Sequence, residues 1–271
     1  MRILLKLLIV MMMSTLVIAQ EMDEDMMMAH PDGLITIQSQ YDVDETTMRL
    51  QATLEEAGLI VLTTVDHDAA AESVEKELLP THLIIFGNPA LGTQLMQENQ
   101  AIGIDLPQKF LIYENAEGIV YVSYNDPDYL RRRFGVENEE VLATITGALA
   151  NLSGSVADMD SMMTEEDTEM MATEEVMSDS DGMDSEMMDE VDGLMMENGL
   201  HTVESDRNFD DTVAALQSIL EENGFRIPAV VDHAANAMNA DLELRPTTLI
   251  IFGNPNVGTG LMQAQRSIAI D

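Results

Sequence analysis

The most regular hydrophobic pattern in the chain is an apolar run that leads through a turn into a helical repeat, and it occurs twice. Residues 81–86 are mostly apolar, a Gly-Asn-Pro turn follows at 87–89, and Leu and Met recur at helical spacing over 91–99. Residues 247–263 repeat this pattern with nearly the same letters. Each copy therefore predicts a buried strand, a tight turn and a helix.

The residues around the first copy predict the other elements of a domain. Alternating apolar and polar positions predict a strand at 33–40, and β-branched residues predict another at 59–65. A polar turn between two further apolar segments predicts a hairpin. Its strands are at 109–114 and 118–124. Helical spacing and capping residues predict helices at about 43–57, 69–79, 126–134 and 137–152.

The repeat extends well beyond the first motif. A shift of 166 positions (199 − 33) aligns residues 33–105 with 199–271 without a gap. About half of the aligned positions are identical, which indicates a duplicated domain. The second copy, 199–271, has no counterpart to residues 106–152. We expect this to reflect a truncated sequence. The alternative is a shortened second domain that leans on the first, with contact between the two domains.

Two segments lack any periodic pattern. Residues 153–198 are rich in Asp, Glu and Met and contain no Lys or Arg, so they predict a disordered acidic linker. Residues 21–32 have the same character and predict a short acidic, Met-rich arm. The two globular domains are thus predicted at 33–152 and 199–271.

The N-terminus has the pattern of a secretory signal peptide over residues 1–20. Arg2 and Lys6 precede an apolar run at 7–18, and a small residue, Ala19, stands before a polar start. An uncleaved anchor is the alternative, although the run is short for a membrane span. We therefore expect an extracytoplasmic protein, periplasmic or secreted.

The charge of the chain limits its partners. The formal net charge is −38 at pH 7, so nucleic acid and anionic membrane surfaces would be repelled. A cation or a small ligand remains compatible with this charge. The chain has no Cys, which excludes disulfides, thiol chemistry and Cys-based metal sites.

The repeated motifs resemble those of a known family. Residues 65–67 (Val-Asp-His), 79–81 (Leu-Pro-Thr) and 83–97, which contain the Gly-Asn-Pro turn, are similar to the domain of unknown function 302 family. The second copy and the later hairpin of the first copy resemble it as well. The resemblance implies a compact α+β domain with helices packed on a mainly antiparallel sheet. It implies no established activity.

The Asp-His pair is the first candidate site. Asp66 and His67 follow a predicted strand, and the second copy repeats them as Asp232 and His233. A His in this place can act as an acid, a base or a ligand near neutral pH. The alternative is structural, with the Asp as the cap of a following helix.

The turn between the central strand and its helix is the second candidate. Free amides at a helix N-terminus could hold an anion or a carboxylate. The alternative is a turn in which Gly permits unusual backbone angles and Pro begins the helix. The candidate residues are Gly87, Asn88, Gly92 and Thr93, with Gly253, Asn254, Gly258 and Thr259 in the second copy.

The Met-rich segments are a third candidate. Thioethers are soft ligands that suit Cu(I), and carboxylates or His suit other cations, so copper is the cofactor to consider. The alternative is a solvated linker without a metal. The candidate ligands are Met26, Met27, Met28, His30, Met162, Met163, Met170, Met171, Met187 and Met188.

These observations favour a binding or accessory protein of the cell envelope over an enzyme. We expect its small-ligand site between the Asp-His pair and the Gly-Asn-Pro turn. Metal handling through the Met-rich segments and an unrecognised enzyme that uses the Asp-His pair are the alternative hypotheses.

Overall fold

A five-stranded antiparallel sheet organises the first copy. The structure is a computed structural model that describes residues 33–158, 195–197 and 199–270. The strands lie in the order β1-β5-β4-β3-β2, and every neighbouring pair is antiparallel. They are β1 (Leu34–Gln38), β2 (Ile60–Asp66), β3 (Thr81–Gly87), β4 (Gln108–Glu114) and β5 (Val120–Asn125). The predicted α+β class and the mainly antiparallel sheet are confirmed.

Helices cover one face of this sheet and enclose the main core. Phe86, Phe110 and Tyr124 from the sheet are buried there, with the two Phe rings 4.7 Å apart. Leu50 and Leu149 pack onto them from two helices. The helices are α1 (Val43–Glu56), α2 (His67–Glu72), α3 (Pro89–Glu98), α4 (Pro127–Phe134) and α5 (Glu139–Gly154), with a 3₁₀ turn at Gln100–Ile104.

The first domain extends past the predicted boundary at residue 152. Helix α5 continues to Gly154, and Val156 and Ala157 are fully or almost fully buried. The backbone N–H of Asp158 donates to the carbonyl of Gln38, which ties this segment to β1. Residues 153–158 therefore belong to the first domain and not to the predicted linker, because this short segment completes the sheet edge.

The second copy repeats the first elements of the domain. Strand β6 (Met195–Glu197) precedes the second copy. The copy itself contains β7 (Leu200–Thr202), α6 (Phe209–Glu222), β8 (Arg226–Asp232), α7 (His233–Asn239), β9 (Thr248–Gly253), α8 (Pro255–Ala264) and a 3₁₀ turn at Arg266–Ile270. Strands β8 and β9 pair as a two-stranded antiparallel sheet. Phe252 is 51% exposed on it, whereas its counterpart Phe86 is 2% exposed.

The two copies pack against each other. Leu83, Ile85 and Leu111 on the other face of the first sheet form a second apolar cluster with residues from α8 and the last 3₁₀ turn. The residues from the second copy are Met262, Ala269 and Ile270. Contact between the two domains, which the sequence left as an alternative, is thus present among the described residues.

The contacts between the copies are reciprocal. Helix α3 of the first copy contacts α7 of the second, and α2 contacts α8. The Gln97 side chain donates to the Glu243 carbonyl over 2.7 Å, and the repeat counterpart Gln263 donates to the Glu77 carbonyl over 2.6 Å. The copies therefore meet as two-fold related subunits of a homodimer do, with the same surface used on both sides.

Among the described residues, no helix combines the length and the apolar character that a membrane crossing needs.

Candidate functional site

The Asp-His pair and the Gly-Asn-Pro turn of one copy lie at opposite ends of the same strand pair. Asp66 pairs with His82, and Ile60 pairs with Gly87. Six residues of extended strand span about 20 Å. The predicted site between the two motifs of one copy is therefore wrong, because antiparallel pairing sends the ends of neighbouring strands to opposite edges.

The Asp of each Asp-His pair caps a helix. Asp66 Oδ1 accepts from the Ala69 N–H over 2.7 Å, and Asp232 Oδ1 accepts from the Ala235 N–H over 2.9 Å. Each carboxylate thus satisfies a donor that the first turn leaves unpaired. The structural interpretation of the Asp is confirmed in both copies.

The Gly-Asn-Pro turn does not offer free amides. Asn88 Oδ1 accepts from the Ala90 N–H over 2.9 Å, and the Asn88 carbonyl accepts from the amides of Leu91 and Gly92. Asn254 makes the same three bonds in the second copy, to the amides of residues 256–258. The anion-site hypothesis fails because the cap residue already occupies these donors.

Gly87 permits a close contact rather than an unusual backbone angle. Its φ is outside the left-handed region, and a Cβ placed on it would lie 3.2 Å from Cβ of Pro107. The glycine therefore lets β3 approach the loop that precedes β4. Pro89 begins α3, as the structural interpretation expected.

The two histidines lie in the contact between the copies. His233 is 5% exposed, and its Nε2 lies 3.2 Å from the carbonyl oxygen of Gly103. His67 is half-buried against the backbone of Ala269, the repeat counterpart of Gly103, and its Nε2 has no hydrogen-bond partner among the described residues. Each histidine thus faces the 3₁₀ turn of the other copy.

Burial lowers the pKa of both histidines. Desolvation is the largest cause in each case, because it penalises the charged imidazolium. Asp66 opposes the shift at His67, whereas His82 adds to it. At His233, hydrogen bonding to the backbone of Gly103 and Leu106 opposes it. Both rings are therefore best accommodated in the neutral form.

We expect the contact between the copies to weaken as the pH falls. In the unfolded chain each histidine gains a proton near pH 6.5, while in the folded chain it gains one only at lower pH. The unfolded state thus binds more protons in this window, and the stability present above pH 6.5 is lost as pH falls. Thermal unfolding at pH 7.5 and pH 5.5 measures the loss.

A variant with both His67→Gln and His233→Gln is the control for this pH effect. Glutamine keeps a side-chain N–H donor but does not titrate in this range. The variant should lose much of the difference between the two pH values. An undiminished difference would show that groups other than these histidines cause it.

An apolar cleft lies where the second copy meets the Gly-Asn-Pro turn of the first. It has a cavity volume of about 130 Å³. Helix α5 forms one wall, β2 and α3 form others, and β8 and α7 of the second copy close one side. Among its lining residues are Gly87, Asn88, Gly92, Thr93, Ile145, Ala148, Leu149, Val231, His233 and Asn236.

Two buried polar atoms belong to residues that line this cleft. Thr93 is 1% exposed and Gln108 is 8% exposed, and neither Thr93 Oγ1 nor Gln108 Nε2 has a hydrogen-bond partner among the described residues. The repeat counterpart Thr259 differs, since its Oγ1 donates to the Pro255 carbonyl over 2.7 Å. Buried polar groups are nearly always paired, so these two atoms indicate a place for a ligand.

The structure thus brings together only some of the predicted site residues. Gly87, Asn88, Gly92 and Thr93 line the cleft with His233, which comes from the other copy. The remaining candidates of the globular domains lie outside it: Asp66, His67, Asp232, Gly253, Asn254, Gly258 and Thr259. The candidate Met and His residues of the two Met-rich segments lie outside the described residues.

Gln108 and the residues of α5 were not predicted as site residues. The predicted site residues of the globular domains occur in both copies, whereas residues 106–158 have no counterpart in the second copy. A buried Gln at the start of an apolar strand was the available signal, because such a side chain needs partners.

The fold is α+β, with a mainly antiparallel sheet in the first copy and a partial repeat in the second. The family model described as "Domain of unknown function DUF302" matches residues 35–152 and 201–271. The chain belongs to this family, so the resemblance of the sequence motifs is confirmed.

Curated relatives match part of the chain. A protein named Fluoride-specific ion channel FluC 1 from Brucella suis biovar 1 is 42% identical over 118 residues, which are 42% of this chain and 46% of that protein. Fluoride-specific ion channel FluC 2 from Brucella melitensis biotype 1 matches with the same identity over 44% of its length. The chain spans less than half the length of these relatives.

A solved structure of the family is also similar. The crystal structure of an uncharacterized conserved protein DUF302 from Bacillus stearothermophilus is 21% identical, with a TM-score of 0.42. The similarity covers 46% of this chain and 98% of that one.

Proposed function

We propose that this protein binds a small, uncharged ligand with an apolar body and one polar group in the cleft between its two copies. The observation that carries the proposal is the pair of unpartnered buried atoms, Thr93 Oγ1 and Gln108 Nε2, in residues that line an apolar cleft. An apolar pocket with a few polar groups is the common form of a small-molecule site.

The size of the cleft limits the ligand. A cavity of about 130 Å³ is close to the ~150 Å³ apolar cavity that accommodates benzene in another protein. The ligand is thus about the size of one aromatic ring or a short alkyl chain. Gln108 Nε2 donates a hydrogen bond, and Thr93 Oγ1 can donate or accept one. A hydroxyl or carbonyl group can pair with either atom.

The charge of the site supports an uncharged ligand. No Lys or Arg is among the residues that line the cleft, and the chain carries a net charge of −38. A carboxylate or phosphate would therefore enter without a counter-ion and against the field of the whole protein. His233, whose pKa is lowered by burial, adds a mostly neutral ring to the wall.

We also propose that the protein acts outside the cytoplasm, as a binding or accessory protein. Support comes from the basic start of the chain, the apolar run at 7–18 and the small residue before Gln20. N-terminal sequencing of the protein recovered from the exported fraction should give a start near residue 20 or 21. Recovery of the chain from the cytoplasmic fraction with residue 1 intact would contradict this part of the proposal.

Calorimetric titration with phenol and toluene tests the pocket. Phenol should bind more tightly than toluene, by about 2–10-fold for each hydrogen bond that its hydroxyl completes. Thr93→Val should reduce this preference and leave toluene binding nearly unchanged. Thr259→Val is the matched control, because it is the same change at the repeat counterpart outside the cleft.

Filling the cleft provides the second arm of the test. Ala148 on α5 lines the cleft and is half-buried, so Ala148→Phe can place a ring in the cavity. This variant should lose binding of both probes. Equal affinity of phenol and toluene in the wild type, or undiminished phenol binding by Ala148→Phe, would contradict the proposal.

A further inference from the structure

A histidine and three carboxylates converge on the first copy, away from the cleft. His82 Nε2 lies 3.7 Å from Asp66 Oδ2, 3.7 Å from Asp68 Oδ1 and 3.9 Å from Asp44 Oδ1. Ligand atoms of His82, Asp66 and Asp68 all lie within 4.8 Å of one another. His82 comes from β3, Asp66 from the end of β2, Asp68 from α2 and Asp44 from α1.

The hydrogen bond at Nδ1 of His82 determines the tautomer of the ring, and with it which nitrogen carries the lone pair. Thr47 Oγ1 donates to the Val43 carbonyl over 2.7 Å, so its only hydrogen is committed. The same oxygen lies 3.1 Å from His82 Nδ1 and therefore accepts from Nδ1–H. Neutral His82 thus presents the lone pair of Nε2 to the carboxylates. A second partner that orients the ring in this way is usual for metal-binding histidines.

The distances from His82 Nε2 to the carboxylate oxygens fit a bound cation better than a proton on the imidazole. A protonated imidazole that donates to a carboxylate would stand about 2.7–2.9 Å from one oxygen. Here Nε2 is 3.7–3.9 Å from three oxygens, and no hydrogen bond to it forms among the described residues. Tetrahedral Zn²⁺ with bonds of 2.0–2.2 Å separates neighbouring ligand atoms by about 3.4 Å. Small rotations of the side chains would therefore close the site.

The surroundings leave the negative charge uncompensated. Among the described residues, Asp44, Asp66 and Asp68 form no ion pair with any Lys or Arg. His82 is 9% exposed and its ring is oriented by Thr47, while the Asp44 side chain is 87% exposed. Asp66 and Asp68 are each held by a backbone N–H, at Ala69 and Thr81. The cluster therefore combines one oriented nitrogen with two positioned carboxylates and a third, Asp44, that is exposed.

We propose that His82, Asp66, Asp68 and Asp44 bind one divalent transition-metal ion, with Zn²⁺ as the best match. Imidazole favours Zn²⁺ over Mg²⁺ and Ca²⁺, and carboxylates supply the remaining ligands. This site is distinct from the Met-rich segments and from the apolar cleft, so it does not depend on the small-ligand proposal.

The second copy provides an internal comparison. Asp210 and Asp232 stand at the positions of Asp44 and Asp66, but Thr248 replaces His82 and Ala234 replaces Asp68. Val213 also replaces Thr47, the residue that orients the histidine ring. The second copy thus keeps two carboxylates and lacks the nitrogen ligand, the third carboxylate and the orienting hydroxyl. The proposal assigns one such site to the chain, in the first copy.

Calorimetric titration of Zn²⁺ into the full chain tests this site. A buffer with about 0.5 M NaCl shortens the Debye length to about 4 Å and suppresses diffuse cation binding. The wild type should show one tight site. His82→Gln should weaken it by about 100-fold or more, and Thr47→Val by about 10–100-fold, the range for loss of a partner behind a metal ligand. Mg²⁺ should bind far more weakly.

Two further variants keep the test decisive. Asp232→Asn removes the corresponding charge from the second copy and should leave the affinity unchanged. Asp68→Asn retains an oxygen that accepts from the Thr81 N–H. This variant should weaken Zn²⁺ binding, and its affinity tests the site even if His82→Gln fails to fold. Unchanged Zn²⁺ affinity in Asp68→Asn and His82→Gln, or no tight site in the wild type, would overturn the proposal.

Discussion

Phe86→Ala is expected to destabilise the first copy by about 3–5 kcal/mol, whereas Phe252→Ala should cost about 1 kcal/mol or less. The two residues occupy the same position of the repeat, but Phe86 is 2% exposed and Phe252 is 51% exposed. Removing the buried ring leaves a cavity and abolishes its stacking on Phe110. Removing the exposed ring mainly loses an edge contact with Phe225.

Denaturant unfolding of the two variants, monitored by far-UV circular dichroism, measures this difference. Hydrogen exchange should assign the loss for Phe86→Ala to β3, β4 and α5. Because the substitution and the local sequence are the same in both variants, propensity effects cancel in the comparison. A similar loss of unfolding free energy in the two variants would show that Phe252 is as deeply buried as Phe86.

Much of the fold could be predicted from the sequence because the local signals agree with one another. Asp42 accepts from the Glu45 N–H and caps α1, and Gly58, with a φ of +72°, follows the end of that helix. Apolar strands and polar turns marked the rest of the domain. The repeat showed which residues of the two copies correspond, since a shift of 166 positions aligns Asp66 with Asp232.

The candidate site was harder to predict because it depends on strand direction and on docking. The prediction placed His67 beside Gly87, although a mainly antiparallel sheet puts the ends of β2 and β3 at opposite edges. The histidine that does approach this turn, His233, belongs to the other copy. The hydrophobic pattern within one domain does not indicate which surface of a second domain will pack against that domain.

The metal-ligand cluster was missed for a different reason. The candidates in the globular domains are residues that both copies share, whereas His82 and Asp68 have no matching residue in the second copy. Identity between repeats reports mainly the shared fold, as the helix-capping roles of Asp66 and Asp232 illustrate. Differences between the copies are therefore the better guide to chemistry that only one of them performs.

Met262→Asp is expected to separate the second copy from the first, at a cost of about 3–5 kcal/mol. Met262 on α8 is 6% exposed and packs with Leu83, Ile85 and Leu111 on the first sheet. A carboxylate there has no cation to pair with in this apolar cluster, so undocking costs less than burying the charge. Undocking would also remove His233 from the cleft wall and weaken phenol binding.

Hydrogen exchange on the full chain measures this undocking. The amides of the 3₁₀ turns at 100–104 and 266–270 should lose protection, while β4 and β5 keep theirs because the first core is on the opposite face. Met238→Asp is the matched control, since Met238 lies on α7 of the same copy and is 70% exposed. That variant should change stability by no more than about 0.5 kcal/mol. If Met262→Asp leaves both turns fully protected, the apolar cluster is not what holds the copies together, and the reciprocal glutamine contacts would have to do so.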